Sequence, residues 1–193
     1  SSIEKVSATL GEDTLNLGLQ AGLVGLIIVS IYLILYYRVL GFIAILGLST
    51  FGLLFYSVIS LLGEFQGFTL TLSGIAGIIV SIGLAADSYI VTFEKYKDEI
   101  KIGRSFQFAA DKAATDAWKT ILTADFVSLS AATLLYILAI GPIRGFALAL
   151  GVATIFDLIF TRLYTRNLVP YISGISNNVR FYFPIKTKDL AND

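Results

Sequence analysis

A long apolar stretch at residues 68–93 constrains this chain more than any other feature. At 1.5 Å per residue, a helix of this length is sufficient to cross about 30 Å of hydrocarbon. Inside a bilayer no water is available to satisfy backbone N–H and C=O groups, so a spanning segment of this kind must be helical. The sequence therefore predicts a transmembrane helix here, and that helix contains one acid, Asp87.

Asp87 lies seven residues before Glu94, the first charged residue after the apolar stretch. At helical rise the carboxyl group would be roughly 10 Å inside the apolar boundary. A carboxylate at such depth costs about 2.5–3.5 kcal/mol on insertion scales. We therefore predict that Asp87 is a proton- or ion-responsive group in a helix bundle. The alternative is a structural acid that is hydrogen-bonded to a neighbouring hydroxyl.

Small residues recur on one side of this predicted helix. At 100° per residue, a single stripe contains Gly74, Gly77, Ser81, Ala85 and Ser88. Stripes of small residues let a second helix approach closely. Asp87 falls beside the stripe, in line with Ala76 and Gly83. The pattern predicts close helix packing around Asp87, through Gly74, Gly77, Ser81 and Gly83.

The composition indicates a polytopic membrane protein. Of the 193 residues, 56% are hydrophobic and only 15% are charged. The net charge is zero, which does not suggest a nucleic-acid partner. The chain has no cysteine and no histidine, which excludes disulfides and catalysis based on either residue. No nucleotide-binding loop and no hydrolytic nucleophile with a base is recognisable, so we predict no enzyme activity, cofactor or metal.

We predict an all-α transmembrane bundle with five spans. The spans are predicted at about residues 17–37, 42–62, 68–93, 120–140 and 146–166. The bundle as a whole would occupy residues 17–170, with residues 1–16 as a lead segment and residues 171–193 as a tail.

Residues 94–119 form the long polar segment between predicted spans. Charged pairs support a first short helix, Gly103 would end it and Ser105 would cap a second one. The second helix places alanines on one side, which is typical of a helix lying on a membrane surface. We predict a cytosolic docking or coupling element here, and the alternative is a solvated connector.

The distribution of basic residues predicts the orientation. With Arg38 in the cytosol and alternating spans, twelve of the fourteen Lys and Arg residues lie inside. The two outside are Lys5 and Arg144. The amino terminus is then extracytoplasmic and the carboxyl terminus cytoplasmic. An odd number of spans and the absence of methionine suggest a piece of a longer protein, with a further span and an external domain before it.

Two other acids lie within predicted spans, and we interpret both as candidate structural acids. Asp125 is close to the cytosolic edge of its span and could reach the interface or pair there. Asp157 is five residues before Arg162 and could pair with an arginine at the end of the span or with a hydroxyl.

Several motifs together resemble a known family. The segments LSGIAGII at 72–79, IGLAADS at 82–88 and FEK at 93–95 resemble the fourth transmembrane helix of SecD in the SecD/SecF family of bacterial protein-export membrane proteins. Further matches are YYR at 36–38, GRS at 103–105, AWKTI at 117–121 and GPIRGFA at 141–147. The resemblance runs from about Thr9 to Pro170.

The resemblance implies a fold and a function. SecD belongs to the resistance–nodulation–division superfamily and has six transmembrane helices, so this chain would hold helices two to six. With SecF it assists preprotein translocation through the SecYEG channel, using the proton-motive force across the bacterial inner membrane. Asp87 would correspond to the acid assigned to proton coupling, and its intramembrane partners, an acid and an arginine, would belong to SecF. YajC is a further candidate partner.

The resemblance leaves some questions open. Many members have Asp-Ala-Asn where this chain has Thr123-Ala124-Asp125, so no family role is carried onto Asp125. A related proton-driven transporter for a lipid or drug remains an alternative, as does a structural scaffold of the Sec complex. Whether protons or sodium ions would be used also stays open.

Overall fold

The computed structural model describes residues 8–66, 72–174 and 182–183, and throughout this part the secondary structure is helical. The predicted all-α class is therefore confirmed. The elements are α1 (Ala8–Gln66), α2 (Leu72–Lys101), α3 (Phe106–Leu138), α4 (Pro142–Phe160), a π-helical turn (Thr161–Thr165) and α5 (Arg166–Ser173). The last three follow one another without a break.

Helix α1 is interrupted at Arg38, whose φ of 48° and ψ of −116° are not helical. Before the break, Gly22 lies against Ile79, and the Tyr37 hydroxyl donates a hydrogen bond to Glu94 Oε1 at 2.9 Å. Sequence numbers on the two helices therefore rise together, so residues 8–37 run parallel to α2.

The second part of α1, residues 39–66, runs the other way. Gly47 packs against the ring of Tyr89, and Tyr56 borders a groove together with Ile75. Here the sequence numbers on α2 fall as those on α1 rise. The chain therefore reverses at Arg38, and the two parts of α1 form a hairpin.

Four helices of the described part are long and apolar enough to cross a membrane: Asn16–Leu61, Ser73–Lys101, Phe106–Leu138 and Ile143–Ser173. The predicted number of five is thus not confirmed by helix count. The reason is that predicted spans 17–37 and 42–62 both lie in α1, which is broken at a single residue.

The structure corrects the expectation of a separate surface helix within residues 94–119. Helix α2 continues to Lys101, and α3 begins at Phe106, directly after Ser105. Gly103 lies in the short connection with a φ of 84°, a conformation that favours glycine. The first part of α3 is therefore continuous with the predicted fourth span.

The alanine side of α3 also differs from the expectation. Ala109, Ala110, Ala113, Ala114 and Ala117 are all buried. They face protein, because α3 packs against α5, where Val169 and Ile172 belong to the same apolar core. Small side chains on α3 thus serve contact between helices and not insertion into a lipid surface.

Aromatic rings fill the centre of the bundle. Phe51 and Phe55 of α1 pack against Phe156 of α4, and Phe51 also meets Phe160, with ring centroids 5.4–6.4 Å apart. These contacts hold the second part of α1 against α4. By contrast, much of the first part of α1 presents exposed leucine and isoleucine side chains, as expected of a lipid-facing helix.

We predict that Gly41→Ala destabilises the hairpin. A Cβ at Gly41 would collide with the backbone carbonyl oxygen of Leu33, which a side-chain rotation cannot relieve. Overpacking of this kind costs about 1–3 kcal/mol. Unfolding of the full-length protein in detergent, followed by circular dichroism, measures the loss.

The matched control is Gly52→Ala, in the same part of α1, where a Cβ meets nothing within 4 Å. Because alanine favours helices, this variant should be neutral or more stable by about 0.5–1 kcal/mol. Equal stability of the Gly41 and Gly52 variants would show that the two parts of α1 do not cross closely at the break.

Candidate functional site

Helix α2 has two distinct faces. The small-residue stripe is buried throughout: Gly74, Gly77, Ser81, Ala85 and Ser88 all face the interior of the bundle. A second line is exposed and contains Ala76, Val80, Gly83 and Asp87. Asp87 therefore lies on the outer side of the described bundle, about 100° around the helix from Ser88.

The stripe packs on α4. A Cβ at Gly77 would be 2.9 Å from the Ala149 Cβ and 3.1 Å from the Phe146 carbonyl oxygen. The Ser81 hydroxyl turns back into its own helix and donates a hydrogen bond to the Gly77 carbonyl oxygen at 2.6 Å. Gly83 differs, since a Cβ there would meet nothing within 4 Å. Of the predicted packing positions, Gly77 touches α4, and Gly83 stays open beside Asp87.

Asp87 borders an apolar groove of about 500 Å³ between the first part of α1 and α2. The other lining residues are Ile28, Val29, Tyr32, Val80, Gly83, Leu84, Ala86 and Ile90. No lysine or arginine is among them. Within the described residues, the salt bridges lie elsewhere and none reaches Asp87. The groove thus presents a carboxyl group in apolar surroundings.

Asp157 is on the opposite, inner side of α2. Asp157 is only 3% exposed, and its Oδ2 accepts a hydrogen bond from the Ser88 hydroxyl at 2.7 Å. Of the two partners predicted for Asp157, the structure shows the hydroxyl. Arg162 instead lies over the Trp118 ring, 5.6 Å from its centroid. Asp87 therefore faces the groove beside α1, whereas its neighbour Ser88 contacts Asp157 inside the bundle.

Asp125 does not extend to the surface. The residue is 5% exposed, and its Oδ2 has no hydrogen-bond partner among the described residues. Helices α3 and α4 pack closely here, since a Cβ at Gly151 would be 3.6 Å from the Ala132 Cβ. From that contact, the antiparallel course of the two helices brings Asp125 to the level of Asp157.

The sequence interpretation missed a line of buried hydroxyls on the helical segment that contains Asp157. Thr154, Thr161 and Thr165 are each at most 3% exposed and lie on α4 and the π-helical turn. Their spacing of seven and then four residues places them on one helical face. This spacing, together with the nearby Asp157, is the sequence pattern that could have indicated a buried polar face. Across from them, α2 contributes Ser88 and Thr92, which are also buried.

Comparison with known proteins gives a consistent result. Residues 1–174 match the family "Protein export membrane protein SecD/SecF, C-terminal". The chain belongs to the SecD/SecF family. Over 177 residues it is 47% identical to the protein translocase subunit SecD of Mycobacterium tuberculosis, covering 92% of this chain and 31% of that protein. It is also 44% identical over 168 residues to the protein translocase subunit SecD of Streptomyces coelicolor, and this match covers 87% of this chain and 30% of that protein.

Solved structures agree with the SecD relatives. The crystal structure of SecDF from Thermus thermophilus, described as a translocon-associated membrane protein, superposes with a TM-score of 0.81 at 30% identity. The match covers 93% of this chain and 24% of that one. A second SecDF structure, in a super-membrane-facing form, gives a TM-score of 0.75. The chain is therefore similar to the C-terminal region of SecD, and it spans less than a third of these relatives.

We predict that Ser88→Ala destabilises the bundle by about 1–3 kcal/mol, because the buried Asp157 carboxyl group loses its hydrogen-bond donor. Ser57→Ala is the control, since that exposed hydroxyl donates a hydrogen bond to the Leu53 carbonyl oxygen within its own helix, at 2.9 Å. It should change stability by less than about 0.5 kcal/mol. Denaturation in mixed detergent micelles compares the two, and equal losses would argue against a role for the Ser88–Asp157 bond in stability.

Proposed function

We propose that this chain is the membrane part of a SecD-type subunit that uses the proton-motive force to assist preprotein translocation. One observation carries the proposal. Asp87 lies within an apolar helix, on its outward face, with no ion-pair partner in the described part of the chain. Ionisable residues at such positions usually serve ion or proton pathways.

An outward-facing carboxyl group needs cover inside a bilayer. Left against lipid, it would cost about 2.5–3.5 kcal/mol in its charged form. Gly83, one turn away, leaves space next to it, and open glycines of this kind allow another helix to approach closely. We infer that SecF covers this face and supplies the acid and the arginine that the family resemblance implies.

The hairpin at Arg38 supports five crossings. Because residues 8–37 and 39–66 run in opposite directions along α2, each part would cross the bilayer once, which makes α1 two spans. The end of the bundle near Arg38 also holds Lys97, which bonds to both Glu94 and Tyr36. Basic residues favour the cytoplasmic side. We therefore place the carboxyl terminus in the cytoplasm and the amino terminus outside the bacterial inner membrane.

Coupling would start from the charge of Asp87. Protonation removes that charge, so the contact between α2 and SecF would become easier to rearrange. The first part of α1 lines the same groove and leads toward the extracytoplasmic side. Movement there would reach the external domain that handles preprotein, while the assembly remains associated with SecYEG. YajC is a further candidate partner of this assembly.

We predict that Asp87→Asn in the full-length protein abolishes the part of preprotein export that depends on the proton gradient. Export should fall to the level of cells that lack the subunit, because the asparagine cannot exchange a proton. Pulse-chase export with and without an uncoupler measures this component, and membrane amount and SecF association are followed in the same cells.

Asp98→Asn is the matched control, since Asp98 is an exposed acid on the same helix, beyond the apolar segment. It should export normally. Full proton-dependent export by the Asp87 variant would remove the coupling role and leave a scaffold of the Sec complex as the better interpretation.

We further predict that Gly83→Leu lowers copurification of SecF by about tenfold or more, which corresponds to about 1.4 kcal/mol. A Cβ at Gly83 meets nothing within 4 Å, so a leucine could extend into the open space beside Asp87. Gly52→Leu, at an open position on α1, is the control and should copurify normally. Undiminished SecF binding by the Gly83 variant would show that the partner covers another face.

A further inference from the structure

We propose that Asp125 and Asp157 form a second proton-binding site, a buried and electrostatically coupled carboxyl pair that holds one proton inside a single subunit. The site is separate from Asp87 and goes beyond the function proposed above. It lies between α2, α3 and α4, on the inner face of α2.

Both carboxyl groups lie in the interior of the bundle. Asp157, on α4, is held by the Ser88 hydroxyl of α2 at 2.7 Å. Asp125, on α3, lies at the level of Asp157 on the antiparallel helix α4, in the register set by the approach of Gly151 to Ala132. Neither residue is more than 5% exposed. Water therefore has little access to either group, and the two charges would repel each other strongly in this interior.

The surroundings offer no compensating positive charge in the described part. From α2, Ser88 and Tyr89 face Asp157, and from the π-helical turn Thr161 does so. The packed side of α1 contributes Phe51 and Phe55, which meet the α4 ring of Phe156.

Arg162, in the π-helical turn five residues beyond Asp157, lies over the Trp118 ring. With no cation at hand, two bare carboxylates at this depth would be very costly. One bound proton leaves a single negative charge, which the Ser88 hydroxyl can stabilise at Asp157.

An independent observation supports a bound proton. Asp125 Oδ2 is buried and has no hydrogen-bond partner among the described residues. Buried polar atoms are nearly always paired, so an orphaned oxygen of this kind requires an explanation. A proton on Asp125 explains it, because an unpaired buried oxygen costs far less on a neutral carboxyl group than on a carboxylate. The carboxyl oxygen atoms of an ionised pair could only accept hydrogen bonds.

The local backbone points the same way. Four residues beyond Asp157, the helix changes to a π-helical turn at Thr161–Thr165, and such turns are frequent at functional sites. The buried hydroxyls of Thr165 and Tyr89 lie near each other alongside this turn. Buried hydroxyl groups therefore extend from the carboxyl pair along the inner face of α2.

Infrared spectroscopy tests the proposal directly, because a protonated carboxyl group has its own C=O stretching band. The sample is the full-length protein with its partner in lipid, titrated with acid and base in sodium-free buffer. In the wild type, a buried band should persist at neutral pH and disappear on raising the pH. Each of Asp125→Asn and Asp157→Asn should shift that titration to lower pH or abolish the band, because the repulsion between the two groups is gone.

Three comparisons make the outcome decisive. Asp111→Asn, an exposed acid on the same helix as Asp125, should leave the band unchanged. Ser88→Ala keeps both acids but removes the donor to Asp157, so it should shift the titration to higher pH even if an asparagine variant fails to fold. Asp87→Asn should retain the band. Because this experiment does not measure export, its result is independent of the coupling role proposed for Asp87.

Two results would overturn the proposal. One is a titration that is the same in the wild type, in Ser88→Ala and in whichever asparagine variants fold. The other is a band that at constant pH responds to added sodium chloride but not to choline chloride, since the pair would then hold a sodium ion in place of a proton.

Discussion

Close contact between α2 and α4 is the interaction on which the rest of this structure depends. Gly77 allows the backbone of α2 to approach Phe146 and Ala149, and residues with larger side chains could not fit there. Within a bilayer, apolar side chains gain little from leaving lipid, so association relies on this kind of tight packing and on hydrogen bonds between helices. The Ser88–Asp157 bond is one such link, on the same side of α2.

This contact gives α2 two environments. Its inner face holds small residues and hydroxyls against α4, whereas its outer face carries Asp87 beside an open groove. Asp87 thus lies at the outer groove, while the next residue, Ser88, bonds to Asp157 in the interior. That arrangement suits a subunit in which one face belongs to a partner and the other to its own bundle.

Particular residues show how far the sequence could be interpreted. The stripe from Gly74 to Ser88 is buried as one face, because helical period alone decides which residues share a side. For Asp157, sequence left open a hydroxyl or an arginine, and only packing of α2 on α4 selected Ser88. The alanines from Ala109 to Ala117 have a pattern that suits a lipid surface or another helix equally well. Their burial against α5 could not be read from a local pattern.

By itself, the sequence determined the helical class, the apolar segments, the face of α2 that carries small residues, and the presence of acids within apolar helices. These properties are local, since they depend on composition and on a period of 3.6 residues. Only the tertiary structure decided that α1 reverses at Arg38, that Asp87 faces outward and that Asp125 approaches Asp157. Those outcomes depend on which helices become neighbours. Neighbour choice arises from complementary shapes along whole helix faces, which no single segment of the sequence contains.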